Sequence, residues 1–406
     1  MSKRTLKTTV AACGLALAAM FGVTPAHAQY SGDVIRIGFI TDMSSLYSDI
    51  DGPAGAEAIR MAIADLGGKV EGKTVEVLVA DHQNKPDIAA AKAREWFDQQ
   101  GMDMLIGGTN SGASLAMAKV AQEKKKPFIV IGAGSSALTN DQCTPYTIHY
   151  AYDTVAMAKG TGNAVVKAGG KNWFFLTADY AFGQALQNDT ANIVKASGGV
   201  VAGAVRHPLN ASDFSSFLLQ AQTSKAQILG LANAGGDTVN AIKAANEFGI
   251  TKTMKMAGLL VFINDIHSLG LKSTQGMYLT DSWYWNQSPE ARAWSRRFFE
   301  KVKRMPSSLQ AADYSATMYY LNAVKAAKTD DGDKVMEQLR KVKVNDLYMK
   351  NGSLRADGRM VHDMYLMQVK APDQSKEPWD YYNVVTTIKG DDAFTTKAET
   401  KCPLWK

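Results

Sequence analysis

The chain has 406 residues, 46% hydrophobic and 21% charged, with three cysteines and a formal charge of +6. Residues 1–28 distort these totals: Lys3, Arg4 and Lys7 precede an uncharged run over 8–23, and Ala26-His27-Ala28 supplies small residues where a signal peptidase reads. Removal of this leader after Ala28 lowers the charge to +3, too small an excess for an electrostatic nucleic-acid binder. What remains is too long for one usual core and carries no further apolar run of the roughly 18 residues that span a bilayer.

The rest reads as strands and helices in alternation. Residues 34–40 (VIRIGFI) form a short β-branched strand, and Pro53 opens a helical pattern in which Ala56, Ile59, Ala62, Ile63 and Leu66 share a face, ending at Gly67-Gly68. Strands are expected at 74–80, 104–107, 127–131, 173–177, 200–205 and 227–232. Helices are expected at 87–100, 181–196, 238–248, 290–302 and 310–327, and strands again after residue 360. This order predicts parallel sheets covered on both faces. No low-complexity linker marks a domain boundary, as expected of a chain that crosses between domains more than once.

Cys13 falls in the leader, which leaves Cys143 and Cys402 as the cysteines of the mature chain. An even count outside the cytosol favours a disulfide over two free thiols. Such a bridge would close a loop of about 260 residues, for which chain entropy gives roughly 5 kcal/mol as an upper figure. Val10-Ala11-Ala12-Cys13 resembles a lipobox, but cleavage there would leave the apolar run 15–23 on the product, so cleavage after Ala28 is favoured.

In open parallel sheets, ligands bind beyond the carboxyl ends of the strands. Five loops occupy such places: TDMSSLYSDIDG (41–52), GGTNSG (107–112), GAGSSAL (132–138), ADYAFG (178–183) and NAGGD (233–237). The second sets Thr109, Asn110 and Ser111 at a helix start, where free N–H groups favour a carboxylate; the plainer alternative is that Asn110 or Ser111 caps the helix. The third repeats that composition with Ser135 and Ser136 on the next strand, which is more than capping requires. Its G-x-G-x-x-A pattern imitates a dinucleotide fingerprint, but Cys143, Thr144 and Pro145 interrupt the helix and strand that fingerprint needs. The run Trp283-Tyr284-Trp285 exceeds what strand alternation can bury, so at least one ring is expected at a cleft or under a covering loop.

Catalytic constellations are scarce. No G-x-S-x-G, P-loop, H-E-x-x-H or C-x-x-C occurs, and His82, His149, His207, His267 and His362 lie singly without metal-ligand spacing. The reading is binding without catalysis, cofactor or metal.

Taken in order, IRIGFITDMSSLYSDIDGPAGAEAIRMAIADLGG, VLVADHQNKPDIAAAKA, DMLIGGTNSGASLAMAKVAQEKKKPFIVIGAGSSALT and DYAFGQAL resemble the type I periplasmic substrate-binding proteins of ABC importers, in the leucine/isoleucine/valine-binding group. The resemblance covers nearly the whole chain after the leader. It implies an α/β fold of two doubly wound parallel-sheet lobes joined by a three-strand hinge, residues 29–150 with 280–361 forming one lobe and 151–279 with 362–406 the other and the tail. It implies a monomeric periplasmic receptor working with a membrane permease and ATPase. Position by position, it places Tyr47, Ser111, Ala133, Gly134, Ser135, Tyr180 and Phe182 at the ligand. Thr109, Asn110, Ser136, Asn233, Asp237 and Trp283 join them from the loops read above.

One departure bears on the solute. Amino-acid-binding members use a Gly-Pro-Glu segment for the ligand ammonium, and the matching stretch here is Ala257-Gly258-Leu259-Leu260. An ammonium buried without a counter-charge costs several kcal/mol, so unless Asp237, Asp265 or Asp281 substitutes, an α-amino acid should bind poorly. The aromatic loops suit a flat organic acid, and the Trp-Tyr-Trp run and Cys-Pro-Leu tail resemble an aromatic-carboxylate subgroup. The alternatives are a branched-chain amino-acid binder, a ligand sensor on the same fold, and, less favoured, an exported enzyme.

Overall fold

The computed structural model describes residues 30–406; the expected leader, and its cleavage after Ala28, lie outside the described residues. No helix among the described residues is long and apolar enough to cross a membrane.

The first lobe begins with β1 (Val34–Thr41), α1 (Gly52–Asp65), β2 (Lys69–Val70), β3 (Lys73–Asp81), α2 (Pro86–Gln99), β4 (Met104–Gly107), α3 (Ser111–Lys124), β5 (Phe128–Val130) and β6 (Thr147–His149). They build a six-stranded sheet in the order β2-β3-β1-β4-β5-β6, parallel except for the β2–β3 hairpin. Ile37, Phe39, Leu105, Ile106 and Ile129 are fully buried, as expected of central strands covered on both faces.

The chain crosses at 150–153 into α4 (Thr154–Met157), a π-helical turn (Ala158–Gly162) and α5 (Asn163–Lys167). The second lobe continues through β7 (Asn172–Ala178), α6 (Ala181–Ala196), β8 (Val200–His207), α7 (Ser215–Thr223), β9 (Ile228–Ala232), α8 (Gly235–Glu247), β10 (Lys255–Gly258), α9 (Ile263–Leu269) and α10 (Leu271–Thr274). Its parallel sheet has the order β10-β9-β7-β8.

From β11 (Tyr278–Asp281) the chain returns to the first lobe as α11 (Pro289–Val302), α12 (Ser308–Ala327) and α13 (Gly332–Lys341), with α12 packed along α1. After the hairpin β12 (Ser353–Leu354) and β13 (Met360–Val361), it crosses again to β14 (Met364–Val369) and β15 (Tyr382–Ile388), which pair antiparallel in the order β11-β14-β15, and ends past α14 (Gly390–Ala393). The crossings converge on Arg359, which is fully buried. Its guanidinium donates to the carbonyls of Tyr152 (2.8 Å) and Tyr150 (2.6 Å), and it lies 3.8 Å from the Asp153 carboxylate. Cys143 and Cys402 are disulfide-bonded, which returns the C-terminal tail to the first lobe.

Candidate functional site

The five loops at the strand ends meet between the lobes. Asp42, at the end of β1, organises the first of them. Its carboxylate accepts from the backbone N–H groups of Ser45 (2.9 Å) and Tyr47 (2.8 Å) and from Asn84 Nδ2 (2.7 Å). Burial works to raise the Asp42 pKa, but these donors hold it below the usual range, so the loop is built around a charged carboxylate. Tyr47 is thereby presented at the cleft, where its hydroxyl meets that of Tyr180 at 2.6 Å.

Ser111 opens α3 and is fully buried, with its Oγ accepting the Ser135 N–H at 3.2 Å. The two serine loops are thus joined directly. Gly134 sits beside them, and a Cβ there would lie 2.9 Å from the Phe182 ring and 3.0 Å from that of Tyr152. Only glycine allows both rings so near the backbone. Phe182 comes from α6 and Tyr152 from the first crossing, and the Tyr152 ring lies 6.1 Å from that of Phe262. The serine loops therefore adjoin a group of rings, with Phe182 and Tyr152 against Gly134 and Tyr180 and Phe262 beside them.

Other expected site residues are occupied by the fold. Asn110 caps α3, its Oδ1 accepting from Ala113 N at 3.0 Å. Thr109 bonds Thr41 and the Asp42 N–H behind the loop. Asn233 joins His207 to Thr238. Asp237 holds the Asn210 and Ala211 N–H groups (3.1 and 3.0 Å), and burial pushes its pKa up to about 6. Ser136 spans the lobes by donating to Asp189 at 2.9 Å. Trp283 is spent on packing: it lies between Trp294 and Tyr348 and donates from Nε1 to the Leu347 carbonyl. Its neighbours Tyr284 and Trp285 donate to the Trp379 carbonyl, so the aromatic run holds the loop between β14 and β15.

Tyr152, Phe262 and Asp189 were not singled out in the sequence. Tyr152 belongs to an aromatic alternation (HYAY) that reads equally well as core, and Phe262 to an apolar stretch, so neither stood out.

The lobes are closed in this structure. Besides the Tyr47–Tyr180 and Ser136–Asp189 bonds, Gly236 N–H donates to the Leu46 carbonyl (3.2 Å) and Asn264 Nδ2 to that of Asp49 (3.1 Å). Gly235 has φ of +57°, and a Cβ there would come 2.6 Å from the Leu46 oxygen. Glycine is required by both the turn and the contact.

A cavity of about 770 Å³ opens elsewhere, lined by Gln227, Asn246, Lys255, Ser273 and Gln368 among others. It lies at the amino ends of β9, β10 and β11, the wrong end of a parallel sheet for a ligand, and gathers no convergent set of functional groups. No cluster of three or more metal-ligating side chains occurs among the described residues.

Two α/β lobes, a hinge of repeated crossings and a closed cleft where serine loops adjoin aromatic rings define a solute-binding receptor that closes on its ligand. The periplasmic binding protein family model matches residues 34–376, and the chain belongs to that family. A periplasmic binding protein from Burkholderia mallei is 70% identical, with a TM-score of 0.91 over 92% of this chain and 100% of that one. A branched-chain amino-acid ABC transporter periplasmic ligand-binding protein from Burkholderia xenovorans is 38% identical, with a TM-score of 0.81 over 92% of this chain and 100% of the other. An ABC-transporter solute-binding protein from Rhodopseudomonas palustris, in complex with 3,4-dihydroxybenzoic acid, shares the fold at 23% identity, with a TM-score of 0.81 over 91% and 100% of the two chains. The chain is the substrate-binding member of an ABC transporter, a transport protein.

Proposed function

We propose that the cleft takes a small aromatic or related organic carboxylate in preference to a branched-chain amino acid. The observation that carries this reading is the apolar stretch where amino-acid binders place an acid: Ala257, Gly258, Leu259, Leu260, Val261 and Phe262 are all buried. Of the other acids available for an ammonium, Asp237 accepts two backbone N–H groups, and burial pushes Asp265 and Asp281 up to about 7, towards their neutral forms. The ligand carboxylate is anchored by Ser111, at the start of α3 where an anion is favoured, by the Ser135 hydroxyl and by the backbone N–H groups of Ala133 and Gly134. Tyr47, Tyr180 and Phe182 close over it. The Rhodopseudomonas relative, which holds a dihydroxybenzoate on the same fold, supports the class of ligand.

In this reading the lobes, residues 29–150 with 280–361 and 151–279 with 362–406, move as two bodies. Ligand stabilises the closed state and the permease recognises it, which is a population shift without chemistry. The mature protein is a periplasmic monomer that begins after Ala28. Thermal shift against a panel of amino acids, aromatic acids and aliphatic acids tests the specificity: stabilisation by leucine or valine alone overturns it. Ser111→Ala and Ser135→Ala should each weaken the best ligand roughly 10-fold, the cost of one hydrogen bond to a charged group. Unchanged affinity in calorimetry removes them from the site.

A further inference from the structure

At the hinge side of the cleft two acids have no basic partner. Asp265, on α9, and Asp281, at the end of β11, are each only about 4% exposed. Among the described residues neither forms an ion pair; one oxygen of Asp265 accepts the Phe262 N–H at 2.8 Å, and one of Asp281 accepts the Ser282 N–H at 2.7 Å and the Ser282 hydroxyl at 3.3 Å. The two acids feel each other, and burial pushes each up to about 7. Beside them Tyr382 Oη, in the field of both carboxyls, is buried without a hydrogen-bond partner, as is Asn264 Oδ1. A buried group left unpaired costs about 1–3 kcal/mol, so a cluster of them is expensive unless something else completes it.

The cluster adjoins the ligand wall. Tyr152, whose ring touches the Gly134 position at one side, lies in the fields of both Tyr180 and Asp281, and its neighbour Phe262 begins the turn that Asp265 caps. Tyr152 and Phe262 thus connect the serine loops to the acid cluster.

We propose that Asp265 and Asp281 form the far end of the ligand cleft and recognise a hydroxyl on the solute, which makes the preferred ligand a hydroxylated aromatic carboxylate. This rests on the carboxylate reading above and adds its second polar anchor. A hydroxyl suits the place because it both donates and accepts, so it can satisfy an acid in either protonation state and the Tyr382 hydroxyl as well. It also brings no charge into a region walled by Leu259, Leu260 and Phe262. An ammonium would have to be desolvated there and would require an acid to stay ionised.

The test is calorimetry on ligand-stripped full-length mature protein with benzoate, 3-hydroxybenzoate, 4-hydroxybenzoate, 3,4-dihydroxybenzoate and 4-(aminomethyl)benzoate. The wild type should bind at least one hydroxylated acid about 10-fold more tightly than benzoate. Asp265→Ala and Asp281→Ala should bring that acid to within about threefold of benzoate and leave benzoate itself nearly unchanged. If an alanine variant does not fold, Asp265→Asn and Asp281→Asn, which keep the shape and one acceptor oxygen, carry the same comparison. Equal wild-type affinity for benzoate and all the hydroxybenzoates, equal loss for both ligand types in the variants, or tightest binding of the aminomethyl compound overturns the inference alone. Binding of none of these acids overturns the aromatic reading and takes this inference with it.

Discussion

The hydroxyls of Tyr47 and Tyr180 meet at 2.6 Å across the cleft, one delivered by the loop after β1 and the other by the residue preceding α6. Burial holds both phenols well above their ordinary range, so the bond joins two neutral groups. It belongs to the closed state, since the two residues sit on different lobes. Removing it should therefore act on the closing equilibrium more than on the fold.

The expected outcome for Tyr47→Phe and Tyr180→Phe is a loss of ligand affinity of about 5- to 10-fold, equivalent to roughly 1 kcal/mol for one neutral hydrogen bond. Ligand-free melting temperatures should shift little. Small-angle scattering should show a larger radius of gyration for the variants without ligand and the wild-type value at saturating ligand. Unaltered affinity in both variants would mean that the contact contributes nothing to closure.

Behind the Tyr47 loop, Asp51 and Asp313 form a buried carboxyl pair. Both are fully buried, and a Cβ on Gly55 would lie 2.3 Å from one and 2.6 Å from the other. Three of their four oxygens have no donor, and Thr41 Oγ1 serves the fourth at 2.6 Å, so the pair needs a shared proton. Burial raises both, Asp51 to about 6 and Asp313 well above its ordinary value. An acid raised on folding binds protons more tightly folded than unfolded. Its stabilisation is full below the unfolded pKa of about 4 and is lost as pH rises through 6 and beyond. Asp313→Asn supplies a permanent N–H donor to Asp51 and removes the repulsion. The variant should be more stable than the parent by about 1–3 kcal/mol at pH 8, with the gap closing towards pH 5. Denaturant melts at both pH values check this; a gap that widens on acidification contradicts the shared proton.

The loops at the carboxyl ends of the strands were legible because parallel topology alone puts them at one end of the sheet. Ser111, Gly134 and Phe182 come together there as expected. Which side chains within a loop remain free was not legible. Thr109, Asn110, Asn233 and Asp237 are polar loop residues like Ser111 and Ser135, but their polar atoms bond partners 3 to 68 residues away within the scaffold, whereas Ser111 Oγ accepts from the neighbouring site loop at Ser135. The run at 283–285 carried a real signal of excess aromatic surface, but what it covers is a loop some 95 residues later. The strands β6, β10 and β11 were missed because they are as short as β4 and β5 but carry Thr, His, Lys or Asp where those two are runs of apolar residues. Two of them, β6 and β11, adjoin the first two hinge crossings, so those crossings were also poorly readable in the sequence.

The tail makes one more connection between the lobes. After β15 it passes Lys159, whose ammonium donates to the Phe394 carbonyl at 2.8 Å, and packs Phe394 over the Arg359 guanidinium at 4.3 Å. It then reaches the first lobe, where Arg355 lies over the Trp405 ring at 3.8 Å and Cys402 is bonded to Cys143. The disulfide spans 259 residues, so it constrains the unfolded chain strongly, and chain entropy sets an upper figure of roughly 5 kcal/mol. In the folded state it fixes the end of a strap laid across the hinge. Cys143→Ser with Cys402→Ser should therefore lower unfolding free energy by about 2–5 kcal/mol. It should also speed amide exchange in 390–406 in the ligand-free protein. Global destabilisation with wild-type protection in the tail would mean that the non-covalent contacts of Phe394 and Trp405 hold the strap without the bridge.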